Sequence, residues 1–125
     1  MLALDYGRAR TGIAVSDPTG TLARPVGVVR RVRSRPGRAE LLRRIGELEP
    51  DVVVVGLPVS MDGTRGRQAG ETLAFVAELE HDCPVPVKTY DERLTTAMAK
   101  RLNGRDDDAL AAAHLLEGYL RQFAG

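Results

Sequence analysis

Four consecutive valines, Val52–Val55, are the feature of this sequence that most constrains its fold. A continuous β-branched run between Asp51 and Gly56 is typical of a strand buried on both faces, in the middle of a sheet that helices cover. A helix is predicted just before it, because apolar side chains recur three and four residues apart over Arg38–Leu48 and the pattern ends near Pro50. The sequence therefore excludes the all-α and all-β classes.

Three extended runs precede that helix. Leu2–Asp5 and Thr11–Ser16 are separated by the turn-forming segment Gly7–Arg10, which predicts two strands joined in a hairpin. A third run spans Leu22–Val32, with a proline near its start, where an edge strand tolerates a missing N–H. The three runs predict an antiparallel meander, and Ser34–Pro36 is expected to end the third run.

Helices and strands alternate after the valine run. A turn-rich loop over Leu57–Gly66 is followed by a helical pattern whose apolar residues are Leu73, Val76, Ala77 and Leu79. A fifth strand is predicted over Val85–Tyr90, and two further helices over Thr95–Leu102 and from Asp108 to about Phe123. This order predicts an α/β domain, a mixed five-stranded sheet flanked by helices, as one unit over residues 1–125.

Charge and composition limit the functions that are open to the chain. The formal net charge of +1 does not by itself indicate a nucleic-acid partner. The segment from Arg24 to Arg44, however, contains several arginines and a single acidic residue, Glu40. Such a basic segment is suited to binding a polyanion. The alternative is that arginine is simply the basic residue used on the surface of this protein. Cys83 is the only cysteine, so an internal disulfide is excluded. No apolar run is long enough to cross a membrane and no signal-peptide pattern opens the chain, so we expect a cytoplasmic protein.

Carboxylates stand where predicted strands end and a predicted helix begins. Asp5 ends the first strand, Asp91 and Glu92 follow the fifth, and an acidic run that ends at Asp108 opens the last helix. Each acid has a structural alternative, because aspartate also forms turns and caps helices. Strand alternation would make Glu92, not Asp91, the working acid.

The same acids form a set that divalent ions prefer. Asp108 falls on the helical stripe continued by Ala112 and Leu115, so it is expected to look inward, with Asp107 as the alternative. Carboxylates at Asp5, Glu92 and Asp108 are the hard oxygen ligands of Mg²⁺ or Mn²⁺. Two such ions about 4 Å apart would activate a water and stabilise the leaving oxygen of a phosphodiester.

Four separated blocks of the sequence resemble the YqgF/RuvX family, and together they cover essentially the whole chain. These blocks are Leu4–Gly7 with Arg10–Asp17, Val55–Gly63, Asp91–Thr96, and Asp108 with Ala111–Leu120. The resemblance implies a ribonuclease H-like fold and a nuclease described both as a Holliday junction resolvase and as a trimming enzyme for the 5′ end of pre-16S rRNA. The segment between the Asp-Glu-Arg block and the final aspartate is shorter here than is usual in the family.

The resemblance also implies roles for particular residues. Asp5, Glu92 and Asp108 take the three metal-binding, catalytic positions. A glycine-containing loop and nearby arginines are expected to contact substrate phosphates. The substrate-binding candidates are Arg8, Arg10, Ser60, Thr64, Arg65 and Arg93.

Three functional hypotheses follow. The first is a metal-dependent endonuclease acting on pre-rRNA, with ribosome-assembly intermediates as partners, or on branched DNA. Junction cleavage would favour a homodimer, whereas trimming one RNA strand would need only a monomer. The second is a nucleic-acid-binding module with little activity. The third, an actin-like ATPase, needs two such domains around its nucleotide, which 125 residues cannot supply.

Overall fold

The computed structural model describes residues 1–17, 22–57, 67–91 and 108–120. These residues form five strands and three helices, and none of these helices is long and apolar enough to cross a membrane. The strands are β1 (Leu2–Asp5), β2 (Arg10–Ser16), β3 (Ala23–Arg30), β4 (Val53–Leu57) and β5 (Val87–Asp91). The helices are α1 (Arg35–Leu48), α2 (Arg67–Asp82) and α3 (Asp108–Tyr119).

The sheet is mixed, with strand order β3-β2-β1-β4-β5. The strands β1, β2 and β3 pair antiparallel, and β4 and β5 continue the sheet parallel to β1. The predicted meander and the predicted parallel strands are both confirmed. The valine run forms β4, which is buried along its whole length between β1 and β5.

Each face of the sheet packs against its own helices. Leu2 and Leu4 point to the face covered by α1 and α2, in a cluster that includes Leu41 and Phe75. Ala3 points to the other face and packs against α3. The sheet is therefore enclosed on both sides, as the continuous apolar character of β4 predicts.

The start of α1 differs from the prediction. The periodicity predicts a helix from Arg38, but the helix begins at Arg35 with Ser34 as its N-cap. The Ser34 hydroxyl accepts a hydrogen bond from the Gly37 N–H at 3.1 Å, and Pro36 occupies the first turn, where its missing N–H costs nothing. The extended run therefore ends before these residues, as predicted, and they form the start of the helix.

The buried face of α2 also differs. Leu73 is 38% exposed and Ala77 is exposed, although the sequence pattern placed both on the apolar face. Thr72 and Phe75 are fully buried instead, because the Phe75 ring stacks on Tyr6 with centroids 4.7 Å apart. The larger aromatic surface sets the rotation of the helix.

Candidate active site

Three strands end together at one edge of the sheet. Because β1, β4 and β5 run parallel, Asp5, Leu57 and Asp91 lie at the same edge, the one where open α/β sheets bind their ligands. This edge is the place where a polar site can form without disrupting the core. Asp5 is one of the few polar residues buried there, with 6% of its surface exposed.

The pairing of β1 determines which way Asp5 points. Side chains alternate along a strand, and Ala3 packs against α3, so Asp5 faces the α3 side as well. Its partner on β2 is Gly12, and the register of Leu4 with Val55 brings Gly56 beside it on β4. Both of these directly flanking residues are glycines, which have no side chain.

The last helix lies on the same face and begins with an acid. Asp108 is the first residue of α3, and Ala112, one turn later, is fully buried in a cluster with Ala14 of β2. Leu115, further along the stripe, is also fully buried. The expected inward stripe of Ala112 and Leu115 is therefore confirmed, while the Asp108 side chain is outside what the structure describes.

The end of β5 faces the same helix. Tyr90 packs against the α3 cluster, and its ring meets that of Tyr119 edge to face, 5.8 Å between centroids. Glu92, two positions later, is outside the described residues, as are Ser60, Thr64, Arg65 and Arg93. The predicted helix over Thr95–Leu102 is outside them too. Among the residues that are described, no three or more acidic, histidine or cysteine side chains form a metal-binding group, so the complete ligand set stays a prediction.

The turn between β1 and β2 carries one arginine and a second opens β2. Gly7 is required there, because a Cβ at this position would lie 2.4 Å from the Arg10 carbonyl oxygen. Arg8 is exposed on the turn and forms an ion pair with Glu71 of α2, which raises the pKa of Arg8. Arg10 opens β2 and is exposed.

Sequence reasoning missed a neighbour of Arg10. Arg10 pairs with Arg30 of β3, and both lie on the α3 side because Gly12 and Ala14 follow Arg10 on that face. Two guanidinium groups on neighbouring strands of one face form a pair of donors that suits a phosphate. The basic stretch from Arg24 to Arg44 signalled cations in this region, but only the pairing register identifies Arg30.

Comparisons with known proteins agree with this architecture. The sequence model of the family described as "RuvX: Holliday junction resolvase" matches residues 1–122. A protein of Anaeromyxobacter sp. is 41% identical over 95% of this chain and 94% of its own length, and one of Desulforamulus reducens is 35% identical over 96% and 95%. Both bear the provisional name pre-16S rRNA nuclease.

Solved structures give the same fold. Thermus thermophilus RuvC, in complex with a Holliday junction substrate, superposes with a TM-score of 0.58 at 20% identity, covering 99% of this chain and 96% of RuvC. A fowlpox virus Holliday junction resolvase superposes with a TM-score of 0.52 at 14% identity, covering 97% and 98%. The predicted ribonuclease H-like fold is thereby confirmed, and the chain belongs to the RuvX family of nucleases.

Proposed function

We propose that this protein is a divalent-metal-dependent endonuclease that hydrolyses phosphodiester bonds in structured RNA, and that its substrate in the cytoplasm is pre-16S rRNA. The observation that carries the proposal is the position of Asp5. This buried carboxylate ends a central strand, on the face covered by the helix that begins with Asp108. The names of the full-length relatives support the choice of RNA.

The surroundings of Asp5 fit a divalent cation. Carboxylate oxygens are the hard ligands that a divalent cation of this kind prefers. The residues directly beside it on β2 and β4 are glycines, whose small size leaves space for an ion on that face. We assign Asp5, Glu92 and Asp108 as the ligands, with Asp107 as the alternative to Asp108.

Bound Mg²⁺ or Mn²⁺ ions, in a two-metal site, would supply an activated water and charge stabilisation at the leaving oxygen. The chain's own part is to position the substrate. The backbone of Asp5 is held by its pairing with Gly12 inside the sheet, so the position from which its carboxylate extends is set before the substrate arrives. Arg10 and Arg30 present two guanidinium groups on the same face, suited to holding the phosphate next to the cleaved bond. Arg8, Ser60, Thr64, Arg65 and Arg93 are further proposed phosphate contacts.

The decisive experiment replaces Asp5 with Asn, which keeps the shape of the side chain and removes its charge. Wild type and D5N are incubated with a pre-16S rRNA fragment and, separately, with a four-way DNA junction, each with manganese and with chelator. We expect manganese-dependent cleavage of the RNA by wild type and loss of at least about 100-fold in rate for D5N, with binding retained. Asp51→Asn is the matched control, since Asp51 is an exposed aspartate preceding β4, at the opposite edge of the sheet.

A second candidate substrate is branched DNA, favoured by the description of the family as a Holliday junction resolvase. Resolution of a four-way junction needs two active sites related by symmetry, whereas trimming one RNA strand needs a single protomer. Cleavage of the junction by a dimer, with no cleavage of the RNA, would decide for this alternative. Binding of both substrates without cleavage of either would show a binding module.

A further inference from the structure

A cleft of about 650 Å³ lies on the side of the sheet opposite to the Asp5 side chain, and Tyr6, the residue after Asp5, lines it. It lies between the β1–β2 turn, the connection from β3 to α1, and helix α2. Its lining includes Tyr6, Arg8, Arg31, Arg33, Glu71 and Glu78. Because Asp5 and Tyr6 are consecutive in the chain, a polymer bound at Asp5 can reach this cleft by passing over the turn.

The floor of the cleft is aromatic. Tyr6 stacks on Phe75 with an interplanar angle of 21°, and the Arg38 guanidinium lies 5.6 Å from the centroid of the same Phe75 ring. Arg38 also donates from Nε to the Val32 carbonyl at 3.0 Å. These contacts anchor Arg38 as part of the framework and leave the other arginines at the cleft surface.

Both acids of the cleft are held by arginines. Glu71 pairs with Arg8, and Glu78 accepts two hydrogen bonds from Arg33, at 3.2 and 2.5 Å, and one from Arg38 at 2.9 Å. The hydrogen bond from Arg33 lowers the pKa of Glu78, so this carboxylate stays ionised and paired. Neither acid therefore presents an uncompensated negative charge to an incoming phosphate.

Arg31 is the cation of this cleft that remains available. Its side chain is exposed, and within the described part of the chain it forms no ion pair or side-chain hydrogen bond. Counting formal charges, Arg8, Arg31 and Arg33 against Glu71 and Glu78 leave the lining with one net positive charge. A phosphodiester, which carries one negative charge, complements it.

The backbone of Arg31 is strained, and its surroundings hold it in place. Its φ of 48° lies in the left-handed region that favours glycine. The Arg31 N–H donates to the Ala9 carbonyl at 3.0 Å, and the Arg31 carbonyl accepts from the Ser34 N–H at 2.9 Å and hydroxyl at 2.6 Å. Glycine would relieve the strain, yet an arginine occupies the position, as occurs where a side chain serves function.

We propose that this cleft binds the nucleic-acid backbone beside the cleavage position, and that Arg31 contacts a phosphate there. The inference rests on the proposed nuclease function and adds a second contact region on the far side of the β1–β2 turn. The strand would run from Asp5 across Arg8 and into the cleft.

The test uses Arg31→Gly, which removes the guanidinium and suits the left-handed backbone. Binding of a pre-16S rRNA fragment is measured in chelator, so that nothing is cleaved, over a range of salt concentrations. We expect the dissociation constant of R31G to rise roughly fivefold at about 0.1 M salt, and the slope of log K against log salt to fall by about one. The thermal midpoint of R31G should stay the same or rise, because the strain is gone.

Two control variants separate this effect from strain and from general charge. Glu49 caps α1 with a φ of 49°, so Glu49→Gly relieves the same kind of strain away from the cleft. Arg43 is exposed on α1 and pairs with Glu47 at 2.7 Å, so Arg43→Ala removes one arginine elsewhere. Neither control should change RNA affinity by more than about twofold.

The possible results distinguish the inference from the proposed function. Equal RNA affinity for R31G and E49G would overturn the inference, while cleavage by wild type would leave the proposed function standing. If wild type shows no metal-dependent cleavage while R31G still binds RNA more weakly, the proposed nuclease function is wrong and the cleft remains an RNA-binding surface. Inorganic phosphate is the second probe: if it binds in an Arg31-dependent way and RNA does not compete with it, the cleft is a site for a free anion and the inference is wrong.

Discussion

Replacing Gly37 with alanine should destabilise the fold far more than a single methyl group normally does. An added Cβ would lie 1.9 Å from the Arg31 carbonyl oxygen and 2.5 Å from that of Arg30, whereas real Cβ atoms almost never approach within 3.0 Å. The Arg31 carbonyl cannot easily withdraw, because Ser34 donates to it twice and the Arg31 N–H is bonded to Ala9. The helix or the β3–α1 connection has to move by about 1 Å.

The size of the effect follows from those contacts. Overpacking costs about 1–3 kcal/mol, and each hydrogen bond lost at Arg31 adds about 1 kcal/mol, so we expect Gly37→Ala to lower the free energy of unfolding by about 3–5 kcal/mol. Gly46 lies in the same helix, and a Cβ there meets nothing within 4 Å. Gly46→Ala should therefore raise the free energy of unfolding by about 0.5–1 kcal/mol, as in any exposed helix interior.

Urea unfolding followed by circular dichroism measures both variants against wild type, with the m-value fitted for each. An unfolding free energy of G37A within about 1 kcal/mol of wild type would refute the reasoning, because such a result requires a β3–α1 connection that yields easily. The same result would weaken the account of Arg31, since its position depends on the same carbonyl.

Three other predictions concern charge. Arg33 lowers the pKa of Glu78, so the stability that this pair contributes is complete above the ordinary pKa of 4.5 and is lost as pH falls through the lower pKa of the folded state. Glu78→Gln should therefore flatten the acid side of a curve of stability against pH. An unchanged curve would contradict the pairing. Arg30→Ala should weaken RNA binding and reduce the slope of log K against log salt by about one. Arg24→Ala should do neither. Arg24 is on the same strand, but it pairs with Val15, whose side chain faces the other side of the sheet. Manganese should raise the thermal midpoint of wild type and leave that of Asp5→Asn unchanged, and equal shifts for both would remove Asp5 from the ligand set.

Much of the architecture could be predicted because local pattern and tertiary packing agree. The β-branched run of β4 and the hairpin turn at Gly7 are strong local signals, and both lie where they were expected. The face of α2 could not be fixed in this way, since a helical repeat allows two overlapping apolar stripes. The contact of Phe75 with Tyr6, 69 positions apart in the sequence, decides between them.

The candidate site was likewise predictable only in part. Asp5 at a strand end and Asp108 at a helix start were predictable from chain position, and the α3 face common to Asp5 and the buried stripe of that helix supports both. Arg30 and Arg31 were not singled out. The register of β2 with β3 shifts between Ile13 and Ala14, so the sides of β3 cannot be counted from its sequence alone.

The contact between α3 and the sheet has a consequence for how this enzyme can change over time. Ala112 and Ala113 pack against Ala14, so this part of the helix contacts β2 through methyl groups that have no rotamers to adjust. A larger residue at any of these positions would push this part of the helix away from β2 and shift Asp108, one turn before Ala112. We therefore expect larger residues to be poorly tolerated at these three alanines, although none of the alanines could take part in the chemistry.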